Sequence, residues 1–132
     1  MKFASTRLVV TDIQAVVSFY ELVTGITASW LAPQFAEIVT PAATLAIGSA
    51  EMVPVFKAGS AEPSANRSAV LEFMVEDVDV EYERLKNQVE VVFEPKTMPW
   101  GNRTVQFRDP EGTAVALFAP VTDGAKARFS GR

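Results

Sequence analysis

Two charged residues stand at matching places in the chain. Arg7 lies in FASTRLVV (residues 3–10) and Glu72 lies in AVLEFMV (69–75), 65 positions further on. The same offset lays Val10 on Val75, Asp12 on Asp77 and Ile13 on Val78. A charge in an apolar hollow needs a partner or a ligand. Arg7 and Glu72 would then fix the orientation of a polar ligand, pair with each other, or reach solvent at a rim. Glu72, with Glu37 and Glu51 behind it, could also serve as the general base of a metal-independent lyase or isomerase, with Arg7 as the second polar group.

Apolar recognition has its own candidates. Trp100 sits in a Pro-Trp-Gly turn, where a large aromatic is unusual, so its indole must cover something. It either stacks on a planar ligand, packs on a neighbouring subunit, or caps the core. Trp30, on the second strand, reads as core or interface ahead of ligand contact, and Phe56, Phe107 and Phe118 as core more often than site. Met74 could adapt to an irregular ligand.

Much other chemistry is absent. The 132 residues include no Cys and no His. That removes disulfides, iron–sulfur and thiolate zinc sites, cysteine nucleophiles, the Ser-His-Asp triad and His-ligated metals. No Gly-rich phosphate loop and no Gly-x-Ser-x-Gly occurs. The net charge is −4, and the only basic cluster is Lys126, Arg128 and Arg132, so no nucleic-acid-binding stripe is expected. No apolar run approaches the ~20 residues of a membrane span. Arg7 and Asp12 interrupt any leader-like segment. A cytoplasmic protein without membrane contact is the expectation.

The elements that would position these residues form a repeat. Residues 3–10 alternate as a strand, with Phe3, Ser5, Arg7 and Val9 on one face. Thr11 with Gln14 reads as a capping box for a helix carrying Ile13, Val16, Val17, Tyr20 and Val23, and Gly25 ends it. Residues 26–31, 35–40 and 43–48 read as strands, with 52–56 extending the last. A polar, small-residue connector (58–68) follows. The second half restarts with strand 69–75, a helix from Asp77 to about Gln88, strand 89–93, and a hairpin of 103–108 and 113–118. The hairpin turns through Asp109-Pro110-Glu111-Gly112. The tail from Pro120 has no clear period. The expected fold is α+β: two βαβββ modules (3–57 and 69–119) in one domain over 1–119, pooling their strands into a curved mixed sheet, a cup with its helices on the convex side.

These features resemble the vicinal oxygen chelate superfamily, the glyoxalase I, bleomycin-resistance and extradiol-dioxygenase group. The resembling residues are Val10-Thr11-Asp12-Ile13 with Ser18-Phe19-Tyr20 and Gly25, then Phe73-Met74-Val75-Glu76-Asp77-Val78, Pro99-Trp100-Gly101 and Phe107-Arg108-Asp109-Pro110-Glu111-Gly112. The resemblance covers about residues 3–119. It places the family's four metal ligands at Ser5, near Ala46, at Val70 and at Ala116. Serine, valine and two alanines cannot hold a divalent ion, so no metal or other cofactor is expected. If Ser5, Val70 and Ala116 face the cup, alternation brings Phe3, Arg7 and Val9, Glu72 and Met74, and Ala114 and Phe118 to the same side. The resemblance then implies a metal-free, homodimeric binding protein like the bleomycin-resistance type, sequestering an antibiotic or toxic metabolite. The alternatives are the Glu72/Arg7 enzyme and a degenerate homologue with a regulatory or interaction role. The expected ligand-binding residues are Arg7, Trp30, Glu72, Met74, Trp100 and Phe118.

Overall fold

A computed structural model describes residues 1–132, which divide into two compact units. Unit one comprises Met1–Asn66 with Pro110–Gly112, and unit two comprises the remainder. Unit one runs β1 (Ser5–Val10), α1 (Ile13–Thr24), β2 (Ser29–Ala32), β3 (Phe35–Val39) and β4 (Thr44–Ser49), followed by a 3-10 turn at Ala50–Met52 and a one-turn helix α2 (Val53–Phe56). Unit two repeats the plan with β5 (Val70–Met74), α3 (Val78–Leu85), β6 (Glu90–Thr97), β7 (Asn102–Arg108) and β8 (Ala114–Pro120), then adds α4 (Asp123–Phe129). The fold is α+β with two βαβββ modules. Their strands form two four-stranded sheets, ordered β1-β4-β3-β2 and β5-β8-β7-β6, rather than one continuous ladder. In each, the first and last strands pair in parallel and the others antiparallel.

Each helix covers one face of its own module's sheet. In unit one, Val16, Val17, Phe19, Tyr20 and Val23 of α1 are buried, as are Leu8, Ala36, Ile38 and Ile47 of the sheet. In unit two, Val78 and Leu85 of α3 are buried with Val105, Phe107, Val115 and Leu117. Arg103 on β7 also reaches Asp79 on α3, with a 2.7 Å Nε–Oδ2 bond and a second bond of 2.8 Å. The guanidinium holds the Asp79 carboxyl below its ordinary value, chiefly by hydrogen bonding.

Helix ends follow local chemistry. Asp12, not Thr11, caps α1: its Oδ1 accepts from the Ala15 amide at 3.1 Å. The Thr11 amide is already committed to Glu111, whose two carboxylate oxygens accept from it at 2.8 and 2.9 Å. Glu111 also accepts from the Asp12 amide at 2.7 Å and the Ser64 hydroxyl at 2.6 Å. Burial pushes the Glu111 carboxyl up, but the bonds from Ser64, Asp12 and Thr11 outweigh it and hold the group below its ordinary value. At the far end of α1, Gly25 adopts φ 70° and its amide donates to the Glu21 carbonyl at 2.9 Å, as expected of a left-handed cap.

Four expected boundaries need correction. Strand β2 begins only at Ser29, because the end of α1 ties down the preceding loop. Thr24 Oγ1 accepts from the Ile26 amide and Glu21 Oε2 from the Ala28 amide. Residues 53–56 are helical, not strand. Ser49 Oγ accepts from the Glu51 amide and starts the turn, and Pro54 lies in the first helical turn, where its missing N–H is harmless. Strand β6 continues through Pro95 to Thr97, which an edge strand tolerates at the cost of register shifts. The tail forms α4, capped by Thr122, whose Oγ1 accepts from the Ala125 amide at 3.2 Å. No helix is long and apolar enough to cross a membrane.

Candidate functional site

Residues directly opposite one another in a sheet share a face. Leu8, Ile47 and Ala36 stand in one row of unit one and face α1. The next row therefore faces away from the helix, and it reads Arg7–Ala46–Glu37–Ser29. Unit two has the corresponding row Glu72–Ala116–Gln106. Arg7 and Glu72 thus occupy equivalent places, each opposite an alanine of the parallel neighbour. The expected assignment of Ser5, Arg7 and Val9, and of Val70, Glu72 and Met74, to the faces opposite α1 and α3 agrees with these registers.

The open face of unit one is partly roofed. Chain leaving β4 turns at Ser49 and brings α2 over the end of the sheet. The Arg7 guanidinium carbon lies 4.0 Å from the centre of the Phe56 ring. Beneath them is a narrow cleft of about 10 Å³, room for about one water, lined by Arg7, Val9, Phe35, Met52, Val53 and Phe56, among others. Phe56 is 56% exposed, so its ring is a movable wall rather than core. Arg7 belongs to none of the ion pairs Arg84–Glu81, Lys86–Glu83 and Arg103–Asp79. Glu37 is two strands away across Ala46.

The other expected residues are distributed differently. Glu72 and Met74 are exposed on the open face of unit two. Phe118 stands opposite Met74 but is only 8% exposed. Its ring lies 5.2 Å from that of Phe129, so α4 covers it, and its role is packing under that helix. Trp100 is exposed at the turn before β7, and its carbonyl accepts from Arg128 Nη1 at 3.3 Å. Trp30 pairs with Ala36 and so lies on the helix side of its sheet, away from Arg7. It lines a shallow depression with Gln14 and Leu31. Phe56 and Phe35 were not singled out as binding residues. Phe56 was hidden by being read as the end of a strand.

The four positions aligned with metal ligands do not fit a divalent ion. Ser5 offers one hydroxyl, and Ala46, Val70 and Ala116 offer none. No group of three His, Cys, Asp or Glu side chains is placed to hold a metal anywhere in the chain.

Residues 2–117 match the sequence profile of the Glyoxalase/Bleomycin resistance protein/Dioxygenase superfamily. No curated protein matches the chain. Among solved structures, a glyoxalase/bleomycin resistance protein/dioxygenase from Nocardioides is 28% identical with a TM-score of 0.76, the match covering 94% of this chain and 86% of that one. A family enzyme from Burkholderia phytofirmans PsJN is 17% identical, with a TM-score of 0.80 and coverage of 92% and 100%. A lactoylglutathione lyase from Agrobacterium tumefaciens is 21% identical, with a TM-score of 0.68 and coverage of 88% and 91%. At those last two identities the likeness is one of fold. The profile match spans nearly the whole chain, and with the two βαβββ modules it makes this protein a member of the glyoxalase/bleomycin resistance protein/dioxygenase superfamily.

Proposed function

We propose that this protein binds a small, partly aromatic molecule without a metal, on the sheet faces opposite α1 and α3. One observation carries the reading. The positions that resemble the family's ligand set hold a hydroxyl and three hydrocarbon side chains, while the same face of unit one presents an apolar cleft with a single cation. Such walls recognise by shape, stacking and one fixed charge. The role that fits is sequestration of an antibiotic or toxic metabolite by a cytoplasmic homodimer. Strands β1, β2, β5 and β6 end their sheets and so supply edges of the kind that subunits pair through.

The test is a thermal-shift panel of bleomycin-type, quinone and phenazine-like compounds, run on the full chain in excess chelator. At least one compound is expected to raise Tm in the chelator, with no turnover detected on prolonged incubation. Stabilisation seen only after a divalent metal is added, or conversion of the bound compound, would contradict the proposal.

A further inference from the structure

We infer that the unit-one cleft is a subsite for a carboxylate attached to a flat apolar body, with Arg7 taking the carboxylate and Phe56 the body. This rests on the proposed metal-free binding function and names the chemistry of its ligand. The geometry at Arg7 carries it. The guanidinium carbon lies 4.0 Å from the ring centre, within cation–π range, so the charge is held beside Phe56. Its N–H donors all lie in one plane and point outward, in the fork that matches a carboxylate bidentately. Arg7 is exposed and makes no ion pair within the chain.

The surroundings select against the obvious internal alternative. The sheet neighbour of Arg7 is Ala46, whose methyl offers no acceptor. The next residue of that row, Glu37, lies one strand further and makes no bond to Arg7. Val9, Phe35 and Met52 form the apolar floor of this narrow cleft, which a ring system reaches once the exposed Phe56 side chain swings outward. A neutral ligand could use that floor but would leave the donor fork to water. A planar anion uses both, and charge-assisted bidentate bonds are about twice as strong as neutral ones.

The experiment is isothermal titration of the full chain with 2-naphthoate and with 2-naphthamide, which share a ring system and differ in charge. Naphthoate is expected to bind about tenfold more tightly, or 1.4 kcal/mol. Arg7→Gln is expected to abolish that preference while leaving naphthamide affinity within about twofold, and Arg7→Lys to retain part of it, because an ammonium supplies charge without the fork. Phe56→Ala is expected to weaken both probes. Both side chains are exposed, so the variants should keep the wild-type Tm. Equal affinity for the two probes, a preference that survives Arg7→Gln, or binding of neither probe overturns the subsite. The wider reading still stands in those cases if another compound of the panel binds in chelator, and it falls if none does.

Discussion

Replacing Gly101 by alanine is expected to destabilise the chain by about 3 kcal/mol, the sum of an unfavourable backbone and an overpacked contact. Gly101 sits at φ 92°, a conformation that side chains rarely adopt. A Cβ there would overlap Thr122 Oγ1 and come within 2.9 Å of the Ala125 Cβ. Both contacts belong to the start of α4, and the Gly101 carbonyl also accepts from the Val121 amide at 2.9 Å. The substitution therefore strikes the joint that seats α4 over Phe118. Urea denaturation should show the loss, and limited proteolysis should cut Gly101→Ala faster than wild type after Pro120. Removing the clash with Thr122→Gly in the same chain should recover part of the stability, as a coupled pair does. A single variant within about 0.5 kcal/mol of wild type would mean that the joint is not packed as described.

The second large effect is expected at Glu111. Its carboxylate satisfies the amides of Thr11 and Asp12 ahead of α1 and the hydroxyl of Ser64. It also lies at the positive end of the α1 dipole. Glu111→Ala should cost about 1–2 kcal/mol at pH 7, the range for a lost helix cap. The pH dependence has a definite sign. Because the folded carboxyl titrates below its ordinary value of 4.5, its contribution is complete above that value. It is lost as pH falls through the lowered folded value. Stability curves of wild type and Glu111→Ala should therefore lie apart at neutral pH and converge in acid. Parallel curves down to pH 2 would show that the charge on Glu111 is not what anchors the helix.

The strand–helix junctions are legible because each rests on short-range signals: alternation in β1 and β5, the polar pairs Thr11-Asp12 and Glu76-Asp77 that start the helices, and Gly25 at the end of α1, although the α1 cap itself falls on Asp12 rather than Thr11. The hairpin turn was legible for the same reason. Its geometry is carried by Asp109, Pro110 and Gly112, which lie within four residues. What escaped depended on contacts distant in sequence or on breaks in alternation. Met52-Val53-Pro54-Val55-Phe56 has strand composition, and only the Ser49 cap and the position of Pro54 make it a helix. Helix α4 carries a Thr cap, an acidic first turn and basic residues in its last turn. It buries little beyond Ala125 and part of Phe129, too few positions to show a period. Arg7 could be placed on the open face from alternation alone. That Phe56 would lie beside it could not, because the turn between them had been read as strand. Trp30 stands opposite Ala36 and so on the α1 side of its sheet, a facing that its sequence neighbours do not fix.

The central claim is that the sheet faces opposite α1 and α3 recognise their ligand without an ion. The direct measurement is elemental mass spectrometry of the full chain after incubation with zinc, nickel, manganese and iron(II), followed by desalting. Retention far below one ion per chain is expected for all four metals, since Ser5, Ala46, Val70 and Ala116 supply no set of donors. One tightly held ion per chain, released by a chelator, would contradict the claim.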